Sequence, residues 1–116
     1  MGMLDDLSAM GVDISDGRKR FANNDPLFEK FLKKFPNAVL ETEVLPYFQS
    51  GDLETALANA HTLKGMTGNL SLTPLYLAYT EIVALLRAGK PEQARALLDK
   101  VIPAQELIVS CIKKYM

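Results

Sequence analysis

Ala60-His61-Thr62-Leu63-Lys64-Gly65-Met66-Thr67-Gly68-Asn69-Leu70 is the stretch on which both the fold and the chemistry turn. Its apolar residues recur at spacings of three and four rather than two, which marks a helix and not a strand. At about 100° per residue, Leu53, Ala56, Ala60, Leu63, Thr67 and Leu70 gather on one side as a core stripe. His61 falls well away from the centre of that stripe. Leu57, Lys64, Gly65 and Gly68 lie within roughly 60° of it on the same wheel. The spacing therefore predicts a helix over about 52–70 that buries one face and turns a histidine, a lysine and two glycines towards solvent.

Outward from this helix the same periodicity holds, with no clean strand alternation. On the N-terminal side, residues 3–10 form a short helix ended by Gly11, and Ser15 is the N-cap expected for a second short helix over 16–22. Asn23-Asn24-Asp25-Pro26 breaks and restarts the chain, with Asp25 as cap and Pro26 in the first turn. A long apolar stripe follows over 26–49. Pro36 and Pro46 interrupt it, so a bent helix or two helical pieces are expected there. On the C-terminal side, Thr73 caps a helix over 74–88 and Ala88-Gly89-Lys90-Pro91 closes it. A last helix runs from about Pro91 towards 115, with a bend at Pro103. Gly51-Asp-Leu-Glu-Thr-Ala and Gly89-Lys-Pro-Glu-Gln-Ala echo one another, but read as two ordinary helix starts rather than a structural repeat. The expected fold is all-α: an up-and-down four-helix bundle with short additional N-terminal helices, forming one domain over residues 1–116.

Composition narrows the class. At 116 residues, one domain with its own core is expected. Thirteen basic and fourteen acidic side chains give a formal charge of −1, which argues against a nucleic-acid binder. No apolar run is long enough to suggest a membrane span, and the start of the chain lacks the pattern of a signal peptide. A cytoplasmic location is the resulting expectation. The single cysteine, Cys111, cannot form an internal disulfide and reads as a small core residue. Met66 reads as packing at a helix margin, and Arg18-Lys19-Arg20 as a solvated face rather than a phosphate-binding patch.

The chemistry rests on His61, the only histidine. A lone helical histidine, a lone lysine or a helical glycine is each ordinary by itself. Their combination on one face is not. Each glycine inside a helix costs about 1 kcal/mol relative to alanine. Placing two on the histidine's face clears the approach to the imidazole for a large partner. Lys64, three residues on, can bring its ammonium beside the ring. Neutral imidazole is a nucleophile, and a phosphorylated one would carry close to two negative charges that a nearby cation stabilises. One histidine and one cysteine do not make a usual zinc site, and no glycine-rich phosphate loop is present.

His61-Thr-Leu-Lys64-Gly65 followed by Gly68-Asn69-Leu70 resembles the signature of the histidine-containing phosphotransfer (HPt) family of two-component phosphorelays. Gly11-Val-Asp-Ile, Gly17-Arg-Lys-Arg-Phe, Phe31-Leu-Lys-Lys-Phe-Pro36, Gly51-Asp-Leu-Glu and Arg87-Ala-Gly89 extend the resemblance over about residues 11–115. Many family members carry a glycine after Asn-Leu where this chain has Ser71-Leu72, and Pro46 is also unexpected. The resemblance implies a monomeric phosphoryl carrier without kinase activity of its own. His61 would accept a phosphoryl group from a receiver-domain aspartate and pass it to another receiver. Lys64 would stabilise the phosphoryl group, and Leu57, Gly65 and Gly68 would form the docking surface. It implies no cofactor on this chain, since magnesium belongs to the receiver. The implied partners are response-regulator receiver domains and a hybrid sensor histidine kinase, with no nucleic acid and no membrane. Two alternatives stand beside it: a phosphoacceptor domain excised from a chemotaxis-type histidine kinase, and a helical adaptor that binds partners without phosphate. An enzyme is disfavoured because the histidine's own helix face brings no acid to it.

Overall fold

The computed structural model describes residues 2–116, and every element among them is helical. Three long helices form the frame: α6 (Leu53–Asn69), α7 (Thr73–Arg87) and α8 (Pro91–Lys113). Each folds back on the one before through a short turn, and α7 packs between the other two. The fourth side is built from short helices in series, α3 (Asp25–Leu32), α4 (Phe35–Glu41) and α5 (Leu45–Ser50). Two more, α1 (Met3–Ala9) and α2 (Ile14–Arg20), close the bundle, with α1 against α8 and α2 against α1 and α3.

The fourth side therefore has three pieces, where the sequence suggested one bent helix or two. Both prolines sit at helix starts rather than helix interiors. Pro36 is the second residue of α4 and Pro46 the second of α5, positions where the missing N–H has no intrahelical partner to lose. Pro103, by contrast, lies inside α8, which continues through it with its ring exposed. Gly51 and Gly89, the two echoing positions, both take left-handed backbone (φ 81° and 73°) where a helix ends, so the echo marks two chain reversals.

Three caps fall one or two residues before the expected one. Asp13, not Ser15, caps α2 by accepting from the Asp16 N–H at 3.0 Å. Asn24, not Asp25, caps α3 by accepting from Leu27 at 3.1 Å. Leu72 rather than Thr73 occupies the cap of α7 and offers no side-chain acceptor. Asp52 caps α6 by accepting from the Thr55 N–H at 3.1 Å.

The core unites these elements. Phe28, Leu32 and Phe35 from the short helices meet Leu63 of α6, Leu75 and Ile82 of α7, and Leu98 and Ile108 of α8, all essentially inaccessible to solvent. On α6 the buried set is Ala56, Ala60, Leu63 and Thr67, with Leu70 just beyond, as the wheel requires. Leu53, at the first turn, is instead 38% exposed. Alanine at 56 and 60 keeps that face shallow, so neighbouring helices can approach closely. Inside the bundle Tyr79 donates its hydroxyl to Gln105 Oε1 at 2.5 Å, joining α7 to α8, and burial pushes the phenol well above its ordinary pKa. Cys111 is buried, as expected. The chain ends meet where Tyr115 and Lys114 contact the carboxylate of Asp6.

Gly17 decides how α2 sits. Its backbone lies so close to the buried Phe28 ring that a Cβ there would fall 2.2 Å from a ring carbon. Phe21 then stacks on Phe28 with centroids 5.1 Å apart, and Arg18 grips Asp25 of α3 through two hydrogen bonds of 3.0 and 3.2 Å. These contacts fix the placement of α2 relative to the rest of the bundle.

Candidate functional site

His61 stands in the middle of α6, exposed, while Ala60 before it and Leu63 after it are buried. Its position is therefore set by the helix and by the packed residues either side. Lys64 is half-buried one turn further on. Gly65, four residues from the histidine, is exposed, and a Cβ added there would meet nothing within 4 Å. The space over this part of the ring's approach is open.

Gly68 departs from the expectation of a second cleared position. It is half-buried, and a Cβ there would come within 3.0 Å of two carbons of the Tyr76 ring. What the missing side chain admits is an aromatic ring from α7, laid against α6. Leu57, one turn before His61, is half-buried against the core and does not line the cleft beside the histidine.

That cleft, about 530 Å³, is lined by His61, Lys64, Gly65, Gly68 and Asn69 of α6, by Tyr76 and Leu77 of α7, and by Asp16 and Arg20 of α2. The contribution from α2 has no local signal in the sequence around the histidine. Arg20, read as part of a solvated basic run, instead faces the site. Its Nε donates to Asp16 Oδ2 at 2.8 Å, and the same oxygen accepts from the Ser71 hydroxyl at 2.7 Å. The hydrogen bond from Arg20, followed by that from Ser71, holds the Asp16 carboxyl below the usual carboxylate range, and Arg20 is raised by the same partner. Lys19 lies outside the cleft, and Arg18 is engaged with Asp25. The three-residue basic run thus divides into three separate situations.

Ser71 explains the departure noted in the turn after α6. It takes left-handed backbone, φ 57°, at a helix end where glycine is the usual residue. Its carbonyl accepts from the Asp13 N–H at 3.1 Å while its hydroxyl reaches Asp16. A single buried residue therefore bonds α2 and its cap to the end of the histidine helix. The sequence clue was the serine itself, standing in a position that favours glycine.

The arrangement offers an accessible imidazole, an open approach at Gly65, two cations on different helices and an apolar rim at Tyr76 and Leu77, of which Leu77 is 62% exposed. Among the described residues no group of three or more histidine, cysteine, aspartate or glutamate side chains is placed to hold a metal ion, and no helix is long and apolar enough to cross a membrane. The chain matches the family model described as Hpt domain over residues 27–113, a span that includes His61, Lys64 and Gly65. No curated protein and no solved structure matches it.

Proposed function

Because the chain belongs to the Hpt domain family, whose members carry phosphoryl groups in phosphorelays, we propose that it accepts a phosphoryl group on His61 from one receiver domain and delivers it to another. The observation that carries this reading is the exposure of the sole histidine beside Gly65, at a point where the helix has no side chain to obstruct a protein-sized donor. A ring nitrogen of His61 attacks the phosphorus of the receiver's aspartyl phosphate. The N–P bond forms as the acyl-phosphate P–O bond breaks, and the aspartate leaves as a carboxylate. Transfer onward is the reverse reaction on a second receiver. Magnesium and the acidic pocket come with the receiver. This chain supplies the nucleophile, the cations and the docking face, acting as a carrier rather than a kinase.

Lys64 sits where its ammonium can neutralise part of the phosphoryl charge without bonding to it. Gly65 gives access, Gly68 seats Tyr76 on the rim, and Leu57, one turn before His61, adds apolar surface to the docking face. A receiver is the partner in this reading, with a hybrid sensor kinase upstream, and the protein works as a monomer.

The test is incubation with a phosphorylated receiver and magnesium, then detection of acid-labile, base-stable phosphate on this chain. His61→Gln is expected to abolish uptake. Lys64→Ala is expected to lower it only a few-fold, since a partly exposed charge contact contributes about 0–1 kcal/mol and a tenfold change needs about 1.4. Uptake persisting in His61→Gln would overturn the proposal. A chain that binds receivers but never becomes phosphorylated would favour the adaptor reading.

A further inference from the structure

The two cations in the cleft come from different parts of the fold. Lys64 is on the histidine's own helix, and Arg20 is on α2, brought there by tertiary packing. We propose that Arg20 is a second phosphoryl-binding cation of this site, with Asp16 and Ser71 as the residues that position it. The inference rests on His61 carrying a phosphoryl group.

The case begins with how Arg20 is held. Arg95 and Asp99 form another i,i+4 pair, at 3.2 Å on the surface of α8, whose carboxylate has no further hydrogen bond among the described residues. The Arg20–Asp16 pair differs, because its carboxylate is itself tied to Ser71, 55 positions away and 97% buried. Ser71 adopts a strained backbone in making that contact. The pair is thus anchored to the end of the helix that carries His61.

Geometry then fixes which atoms are available. Asp16 takes the Nε donor, so the terminal nitrogens of the guanidinium fork remain to meet an oxyanion. A phosphoryl group on the imidazole brings about −1.5 to −2 charges, more than the one positive charge of Lys64 offsets. Arg20 adds a second charge from the part of the cleft lined by α2. Asp16 orients the guanidinium, and Ser71 orients Asp16.

The test reads the phosphoryl group directly and needs no receiver. Phosphoramidate phosphorylates imidazole: its N–P bond breaks, a new N–P bond forms to a ring nitrogen of His61, and ammonia leaves. The phosphorus resonance of the product is then followed against pH by NMR. The phosphoryl group's second ionisation, near pH 6 in an ordinary setting, is lowered by each adjacent cation. Arg20→Gln should raise that midpoint by about half a unit, the order expected for one partly exposed charge contact. Arg20→Lys should restore part of the shift. Lys19→Gln, which removes the same charge from the same helix outside the cleft but within electrostatic reach of Asp16, should move the midpoint by less than Arg20→Gln does. Backbone amide spectra of each variant confirm an intact fold. Equal midpoints in wild type and Arg20→Gln would overturn the inference, as would an equal shift in Lys19→Gln or failure of the wild-type chain to take up phosphate. If wild type accepts phosphate from phosphoramidate but not from any phosphorylated receiver, the relay reading fails while the assignment of Arg20 is still measured. If receivers transfer normally but the midpoint ignores Arg20, only the inference fails.

Discussion

The hydroxyl of Ser71 and the carboxylate of Asp16 are 2.7 Å apart, a bond that joins the turn after the histidine helix to the second short helix of the chain. Ser71 holds a left-handed backbone to make it, which for a residue with a Cβ costs roughly 1–2 kcal/mol. Two substitutions separate strain from bonding. Ser71→Ala keeps the strain and loses the bond, whereas Ser71→Gly loses the bond and relieves the strain. In urea denaturation, Ser71→Ala should therefore have the lower midpoint of the two. The reverse order would show that the backbone here is not strained.

Asp16 also makes the fold sensitive to acid. Its carboxyl is held below its ordinary value by Arg20 and Ser71, so the folded state binds its proton less readily than the unfolded chain does. The stability from this depression is present above the unfolded pKa, near 3.9, and disappears as pH falls through the folded value. Asp16→Asn should flatten the fall in stability below about pH 4 and leave the slope near pH 7 unchanged. Thermal melts across that range provide the check, and parallel curves for the two proteins would contradict it.

At Gly17 the issue is volume. A Cβ would sit 2.2 Å from the ring of Phe28, and Phe28 is fully buried. Gly17→Ala should destabilise by about 1–3 kcal/mol, the range for overpacked sites, despite alanine's better helix propensity. Phe28→Leu in the same chain should recover part of the loss. Additive losses from the two changes would mean that they do not share the contact.

Gly65 and Gly68 separate in experiment. Gly65 has open space where a Cβ would go, so Gly65→Ala should stabilise α6 by up to about 1 kcal/mol, and Gly65→Arg should fold normally and block transfer. Gly68→Arg must displace the Tyr76 ring, so it should lower stability as well as transfer. Equilibrium unfolding beside the receiver assay measures both quantities. Wild-type transfer by Gly65→Arg would defeat the access argument.

The Tyr79–Gln105 bond offers a double-mutant cycle away from the site. Tyr79→Phe leaves the Gln105 carbonyl buried without its donor and should cost about 1–3 kcal/mol. Adding Gln105→Leu removes the orphaned group, so the double variant should regain much of the loss. A double variant weaker than either single one would rule out this account.

The sequence shows clearly what depends on neighbours along one helix. The buried stripe of α6, the exposure of His61 and the openness at Gly65 all follow from periodicity, because a helix fixes the relative direction of its own side chains. Choices between adjacent candidates are harder to read. Asp13 and Ser15, or Asn24 and Asp25, can each cap a helix, and for α2 the Asp13 N–H bond to Ser71 is a tertiary contact that local sequence does not contain. The surroundings of Gly68 are hidden from local sequence for the same reason, since the ring that covers it comes from α7. Arg20 could be found only once α2 was placed, and that placement depends on Gly17, Phe28 and Asp25, none of them near His61 in the chain.

The stretch that matches the family, 27–113, contains the nucleophile helix but neither Asp16 nor Arg20. The cleft is therefore a composite of segments far apart in the chain, with α6 and α7 on one side and α2 on the other, joined through Ser71 and locked by the Gly17–Phe28 contact. A change confined to α2 would therefore alter the charge and shape of what meets the histidine while leaving the imidazole itself in place, because the two come from different segments of the chain.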